Sequence, residues 1–249
     1  QRAKLLLSHP LSEANLQALK AFHAMLQLKG YSPNSFRTYS NEFHLLLRLL
    51  GSVTVGNLTK EHIQAYLLWL MKKKGYSEAH VHTAINAIKF YFEQVEKRQR
   101  EFYDLPRPKK TALLPTVLSE QEVVRLFNET ANLKHKVLLM AAYSSGLRVS
   151  ELVGLKVKDI DSDRMMIYIR QGKGKKDRIV PLSAKLLEML RNYYKAYRPQ
   201  EYLFEGEAKG TPYSTRSAQQ VLKRAKQRAG IRKGGSIHSL RHSFATHLL

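Results

Sequence analysis

GLRVSEL, residues 146–152, is the stretch from which the architecture and the chemistry of this chain can be worked out. It follows an apolar helical pattern that ends at Ser144-Ser145, so Arg148 is predicted to stand at a corner between two helices. Glu151 comes three residues later, close enough on a helix to hold the guanidinium in an ion pair. Taken alone, this pair is also compatible with a purely structural role.

The stretch HSLRH, residues 238–242, places His238 and Arg241 three positions apart, on one face of a predicted helix. The opposite face is expected to be buried by apolar residues at four-residue spacing: Leu240, Phe244 and Leu248. The polar pair is therefore predicted to face a cleft or solvent, and the helical pattern is expected to run to the last residue. An ordinary exposed histidine and arginine remain the alternative for this stretch alone.

A β-hairpin is predicted from residues 164–170 and 178–182, which flank a turn rich in glycine and lysine. Lys173 stands between two glycines in this turn, and glycines let the backbone approach a ligand closely. A solvated, lysine-rich turn is the alternative interpretation of the same residues.

Considered together, four residues suit phosphoryl transfer: Arg148, Lys173, His238 and Arg241. Two guanidiniums can bind the non-bridging oxygens of a phosphodiester in a forked geometry. A lysine can protonate the departing oxygen, and a histidine can bridge phosphate and nucleophile. No group of carboxylates has metal-ligand spacing, and the sequence has no nucleotide-binding phosphate loop. We therefore expect no metal and no cofactor.

The composition points to an anionic partner. The 249 residues carry 42 Lys and Arg against 20 Asp and Glu, a formal charge of +22, and 43% of them are hydrophobic, enough for a packed core. Nucleic acid is the leading partner. A basic membrane-surface protein is the rival, but no apolar run reaches the roughly 18 residues of a spanning helix. Because the chain has no cysteine, a reducing, cytoplasmic location is expected.

Two mainly helical domains are predicted. Residues 13–97 hold four amphipathic helical patterns and form the first domain. Their start signals include Ser32-Pro33, Thr59 and Ser77. Residues 98–117 contain prolines among basic residues and are predicted to be an extended basic linker. A capping box at residues 119–122 opens the second domain, residues 118–249, which adds a small β-hairpin to its helices.

These motifs, in this order and spacing, resemble those of the tyrosine recombinases, the phage-integrase family, and look closest to its Xer-like branch. The resemblance covers nearly the whole chain. Residues 32–39 and 77–92 look like the family's N-terminal core-binding domain, which has a SAM-like helical fold. The stretches around Arg148, Lys173 and Arg241 look like motifs of its mostly helical catalytic domain. The resemblance implies site-specific DNA recombination or integration, as carried out by mobile elements.

The resemblance also implies a role for each site residue. Arg148 and Arg241 would clamp the scissile phosphate, and Glu151 would support Arg148. Lys173 would be the general acid for the 5′-oxygen, and His238 would assist proton transfer at the nucleophile. In the family a tyrosine attacks and forms a 3′-phosphotyrosyl link, which conserves the bond energy without ATP or metal.

The resemblance and the basic charge together imply double-stranded DNA as the partner, held by a clamp of two domains. A homo-oligomer, dimer or tetramer, is expected on DNA for the full-length protein, and no membrane contact is expected. The side chains expected to contact DNA are mostly basic. They are Ser35, Arg37, Lys89, Arg107, Lys109, Lys110, Lys175, Lys176, Arg178 and Arg216.

The chain departs from the family pattern at its end. The nucleophilic tyrosine of the family lies downstream of the His-x-x-Arg helix, whereas this sequence stops at Leu249. It starts at Gln1 without a signal peptide, so we expect an excerpt of a longer enzyme, and we expect these residues alone to bind DNA without cleaving it. Two alternatives stay open: a type IB topoisomerase-like enzyme, which uses a similar residue set, and a truncated DNA-binding or regulatory factor.

Overall fold

The structure is a computed structural model, which describes residues 11–72, 75–99, 114–170 and 176–248. The chain divides into two compact units, Gln1–Ala112 and Leu113–Leu249, each with a hydrophobic core of its own. Residues 100–113, most of the predicted linker, lie outside the described residues.

The first unit contains the four predicted helices. They are α1 (Glu13–Leu28), α2 (Pro33–Leu50), α3 (Lys60–Lys72) and α4 (Glu78–Phe90), with a 3-10 turn at Val55–Asn57 and a π turn at Tyr91–Val95 that continues α4. Local chemistry sets the starts, because Ser12, Ser32 and Ser77 each accept a hydrogen bond from an amide three residues on. Gly51 ends α2 with a φ of 57°, a conformation that glycine adopts without strain.

Aromatic side chains dominate the core of the first unit. Phe22 of α1 stacks on Phe43 of α2 with ring centroids 4.3 Å apart, and both side chains are fully buried. The apolar stripe of α3 buries Ile63 and Leu70 completely, whereas Met71 is 40% exposed. Met71 lies at the edge of the stripe, one position beyond the fully buried Leu70, and so turns away from the core.

The end of the first unit is fixed by Arg98, the first residue of the predicted linker. Its guanidinium donates hydrogen bonds to the carbonyls of Gly56 and Leu58 and lies 4.8 Å from the centroid of the Phe92 ring. Arg98 therefore secures the first unit, a structural role that its place among basic linker residues did not indicate.

The second unit contains six α-helices, a 3-10 turn at Val157–Asp159 and a small sheet among its described residues. The helices are α5 (Glu120–Asn128), α6 (Leu133–Ser144), α7 (Val149–Gly154), α8 (Ala184–Tyr197), α9 (Thr215–Arg228) and α10 (Ile237–His247). The predicted capping box forms, since the Ser119 side chain accepts from the Glu122 amide and the Glu122 carboxylate accepts from the Ser119 amide. The prediction of a mainly helical fold with a small β element is confirmed.

The sheet has three antiparallel strands in the order β1 (Ile160–Asp161), β2 (Met166–Ile169) and β3 (Arg178–Pro181). Ile167 pairs with Val180, and both side chains are buried. The predicted hairpin is therefore right. The strand β1 was not predicted, because two residues are too short to show an alternating pattern.

The helix α10 is tied to the start of the second unit by buried serines. The Ser243 hydroxyl accepts from the Leu118 amide at 2.8 Å and donates to the Ser239 carbonyl at 2.8 Å. The prediction that Leu248 is buried is wrong, since it is 70% exposed, while Leu240 and Ser243 are fully buried. The helix also ends at His247 instead of continuing to the last residue. Its inner face therefore combines apolar and hydrogen-bonded polar residues, which a hydrophobic pattern does not reveal.

Candidate active site

Arg148 stands at the predicted corner, at the N-cap position of α7. Gly146 makes the turn with a φ of 55°, and Leu147 is fully buried and anchors it. A Cβ atom on Gly146 would lie 3.4 Å from the Phe244 ring and 3.8 Å from Arg241 Cγ. The corner therefore packs directly against α10.

Arg241 reaches from α10 to this corner. Its guanidinium donates a hydrogen bond to the Gly146 carbonyl, two residues before Arg148 along the chain. Burial lowers the pKa of Arg241, and the charges of Arg148 and Arg178 lower it further, while Glu151 opposes the shift. The side chain nevertheless stays charged, because an arginine pKa starts above about 12. The guanidiniums of Arg148 and Arg241 are thus close enough for their charges to act on one another.

Glu151 bridges two guanidiniums. Its Oε1 accepts from Arg148 at 2.8 Å, and its Oε2 accepts from Arg178 at 2.6 Å and from the Arg148 amide at 2.9 Å. The side chain is 4% exposed. The Arg148–Glu151 pair was predicted from local spacing, whereas the Arg178–Glu151 pair, 27 residues apart, was not.

The pKa of Glu151 is held below its usual value. Burial alone would raise it, but the hydrogen bonds from the Arg148 amide and guanidinium and from Arg178 outweigh burial. The carboxylate is therefore charged at neutral pH, as its two ion pairs require.

A pH dependence of stability follows from this shift. Because the folded-state pKa of Glu151 lies below the unfolded one, its contribution is present above the usual value of 4.5 and is lost as the pH falls through the folded pKa. Urea unfolding followed by circular dichroism, between about pH 7 and about pH 3, should show falling stability. Glu151→Gln should make that fall smaller. An equal fall in the variant would show that other carboxylates carry all of it.

His238 lies one turn before Arg241 on α10, and its side chain is exposed. The Ser236 side chain caps the helix by accepting from the His238 amide at 3.3 Å. The histidine is thus held at the first turn of the helix, on the face that also carries Arg241.

The loop before α10 is fixed by two residues that the sequence motifs did not single out. Lys226 of α9 is 7% exposed and donates to the Gly234 carbonyl at 2.6 Å. Gln219 of α9 accepts from the Ile237 amide at 3.0 Å. Lys226 lies in a very basic helix, and nothing in the sequence distinguishes this buried lysine from its exposed basic neighbours.

The predicted site residues fall into three groups. The structure brings Arg148, Glu151 and Arg241 together, with His238 on the same helix face as Arg241. Lys176 and Arg216 are exposed, and Arg178 binds Glu151. The others of the second unit and the linker lie outside the described residues. These are Arg107, Lys109, Lys110, Lys173 and Lys175.

The remaining three predicted DNA contacts belong to the first unit. Ser35 and Arg37 lie in the first turns of α2, and Arg37 is exposed. Lys89 of α4 lines a cavity of about 420 Å³ together with Lys29, which the sequence motifs did not single out. Lys89 also lies 3.8 Å from Glu93. Glu93 lines the cavity as well, so the lining carries two positive charges and one negative charge.

Neither a metal cluster nor a membrane span is found in the described residues. No three His, Asp or Glu side chains there are grouped as a metal site would require. None of the helices in those segments has both the length and the apolar character needed to cross a membrane.

Comparison with protein families assigns both units. The model of the phage integrase family matches residues 116–249, more than half of the chain, and the model of the phage integrase N-terminal SAM-like domain matches residues 18–101. The chain belongs to the phage integrase family of tyrosine recombinases. The family resemblance predicted from the motifs is confirmed.

Relatives of this integrase-family chain support the assignment over most of its length. A protein of Sinorhizobium fredii named as an integrase/recombinase, y4qK, is 39% identical over 90% of this chain and 73% of its own. The tyrosine recombinase XerA of Thermococcus kodakarensis is 34% identical over 96% of this chain and 83% of its own. The fold resembles a crystal structure of a lambda integrase dimer bound to a core site, with a TM-score of 0.74 and 17% identity, covering 92% and 88% of the two chains.

Proposed function

We propose that this protein exchanges DNA strands at specific sites by metal-independent phosphodiester transfer through a 3′-phosphotyrosyl intermediate. One observation supports the proposal above all. Arg241 binds the Gly146 carbonyl, so that its guanidinium lies beside Arg148, which Glu151 holds in turn. Two adjacent guanidiniums, one at the N-cap of α7 and one on α10, match the charge that develops on the non-bridging oxygens of a phosphodiester.

The proposed reaction adds a tyrosine nucleophile and Lys173 to this arrangement, in the roles that the family resemblance implies. A tyrosine hydroxyl attacks phosphorus, the bond from phosphorus to the 5′-oxygen breaks, and a 3′-phosphotyrosyl ester forms. Arg148 and Arg241 bind the non-bridging oxygens, where negative charge grows in the transition state. His238 receives the phenolic proton, and Lys173 gives a proton to the departing 5′-oxygen. Attack by the 5′-hydroxyl of another strand reverses these steps and joins the exchanged strands.

The charge of the second unit supports DNA as the substrate. The helix α9 carries five basic residues and no acidic one, and four of the five are exposed. They are Arg216, Lys223, Arg224 and Arg228. Such a helix attracts a phosphate backbone irrespective of sequence. The lambda integrase that shares this fold is bound to a DNA core site as a dimer, and we extend both DNA binding and assembly on DNA to this protein.

Binding to duplex DNA should therefore depend steeply on salt. For about six phosphate contacts, affinity should fall by about 10³-fold between about 50 and about 200 mM salt, because bound counterions are released. Fluorescence anisotropy with a labelled duplex measures this slope. Arg216→Ala should weaken binding to all sequences alike and reduce the slope by about 1. Lys185→Ala, an equal charge change at an exposed position of α8, is the matched control. A flat salt response would contradict the proposal.

The target site itself can be found by selecting bound duplexes from a randomised pool. A recombinase should enrich one sequence and should recombine two copies of that sequence. Relaxation of supercoiled DNA with no enriched sequence would instead indicate a topoisomerase.

A further inference from the structure

We propose that Arg178 is a positioning residue that keeps Arg148 available to a phosphate by neutralising the Glu151 carboxylate. The inference rests on the proposed function, because it concerns the same phosphate site. It adds a third arginine to that site, one that acts through Glu151.

The geometry divides Glu151 between two guanidiniums. Arg178 is the first residue of β3, and its guanidinium donates to Oε2 of Glu151 at 2.6 Å. Arg148 donates to the other oxygen, Oε1, at 2.8 Å. Both arginine side chains stay about one-third exposed, at 34% for Arg148 and 33% for Arg178, while Glu151 is 4% exposed. The Glu151 carboxylate is thus buried beneath two guanidinium groups that remain partly exposed to solvent.

The charges explain why two cations are useful. A buried carboxylate and a single guanidinium form a pair without net charge, which leaves that guanidinium little attraction for an anion. Here Arg148 and Arg178 bind the one carboxylate, and Arg241 lies nearby on the Gly146 carbonyl. Three positive charges and one negative charge leave a surplus of two positive charges. Without Arg178 the surplus is one. Glu151 can therefore hold Arg148 in place without cancelling its charge.

The electrostatics of Arg241 place Arg178 within reach of the same site. Burial is the largest cause that lowers the pKa of Arg241, and repulsion from Arg148 and Arg178 follows. The three guanidiniums therefore act on one another, and a phosphate beside Arg241 would be attracted by all three.

The same hairpin supplies a matched control. Arg170 comes directly after β2 and donates to the Asp159 carboxylate at 2.9 Å, as Arg178 does to Glu151. Asp159 is 5% exposed in its side chain, and its carboxylate accepts from Arg170 and from the Lys156 amide rather than from the arginines of the phosphate site. If Arg178 served only to hold the hairpin, loss of Arg170 should have a similar effect.

The experiment measures phosphate binding at this site. Inorganic phosphate is titrated at constant ionic strength into the isotope-labelled chain, and NMR follows the side-chain resonances of Arg148 and Arg241. The variants are Arg178→Gln, which keeps a hydrogen-bond donor but loses the charge, Arg178→Lys, which keeps the charge, Arg170→Gln, and the double variant Arg178→Gln with Glu151→Gln.

Arg178→Gln should weaken phosphate binding about tenfold, as expected for one unit charge about 12 Å away at an effective dielectric constant of about 20. Arg178→Lys and Arg170→Gln should stay within about twofold of the unmodified chain. The double variant should bind more tightly than Arg178→Gln alone, because removing the carboxylate restores the surplus of positive charge.

Two different failures can be told apart. If phosphate does not move the Arg148 and Arg241 resonances of the unmodified chain, the proposed phosphate site is wrong. If phosphate binds there but Arg178→Gln behaves like Arg170→Gln, or the double variant binds no better than Arg178→Gln, the role assigned to Arg178 is wrong.

Discussion

Arg241→Ala should reduce the rate of DNA strand cleavage by about 10³-fold at saturating DNA, because one of the donors that meet the developing charge is lost. The affinity for DNA should fall by less than about tenfold, because many phosphates contribute to binding and only one is cut. The measurement uses the natural protein and a nicked duplex that carries its selected site. Covalent protein–DNA adduct is followed over time at several protein concentrations.

The control is Arg164→Ala, which removes an arginine of the same unit whose side chain is 73% exposed and lies 3.5 Å from Asp161. It should leave cleavage unchanged. If Arg241→Ala weakened binding as much as cleavage, Arg241 would bind the ground state and the transition state equally, and the assigned role would be wrong.

The arrangement of Arg148, Arg178 and Arg241 has a cost in the unliganded protein. Like charges held close together repel one another, and the lowered pKa of Arg241 reflects burial first and this repulsion second. Glu151 and the Gly146 carbonyl offset part of the repulsion through hydrogen bonds. A site of this kind is stabilised by an anion, because a ligand that binds only the folded state shifts the equilibrium towards it.

Features set by neighbouring residues could be predicted from the sequence. The Ser32 and Ser77 caps, the capping box at residues 119–122 and the Arg148–Glu151 pair all join groups three residues apart. Such contacts require only the right local backbone. The hairpin could also be predicted from a local pattern, because buried and more exposed residues alternate along β2 and β3.

Features set by the tertiary fold could not be predicted in this way. Arg178 donates to Glu151 although the two lie 27 positions apart in the sequence, and the Leu118 amide donates to the Ser243 hydroxyl across 125 positions. Nothing in the local pattern of these residues indicates a partner. The family resemblance gave the composition of the phosphate site, but the division of one carboxylate between two arginines emerges only when the fold brings Arg178 of β3 within hydrogen-bond distance of Glu151 of α7.

The helix α10 offers the sharpest test of how the fold positions the site. Leu240 is fully buried and Leu248 is 70% exposed, although both belong to the same predicted apolar stripe. Leu240→Ala should lower the stability of the second unit by about 2–5 kcal/mol, since it removes buried surface and leaves a cavity. Leu248→Ala, the same substitution on the same stripe, should change stability by less than about 0.5 kcal/mol.

Native-state hydrogen exchange of the α6 and α10 amides measures both changes within the second unit. Leu240 lies between His238 and Arg241, so a loosened α10 should also impair the phosphate site, whereas Leu248→Ala should leave it intact. Equal losses of protection in the two variants would mean that the helix packs as the hydrophobic pattern alone predicts. Its inner face would then not be formed by Leu240 together with the hydrogen-bonded serines at positions 239 and 243, and the position of Arg241 beside Gly146 would lose its structural basis.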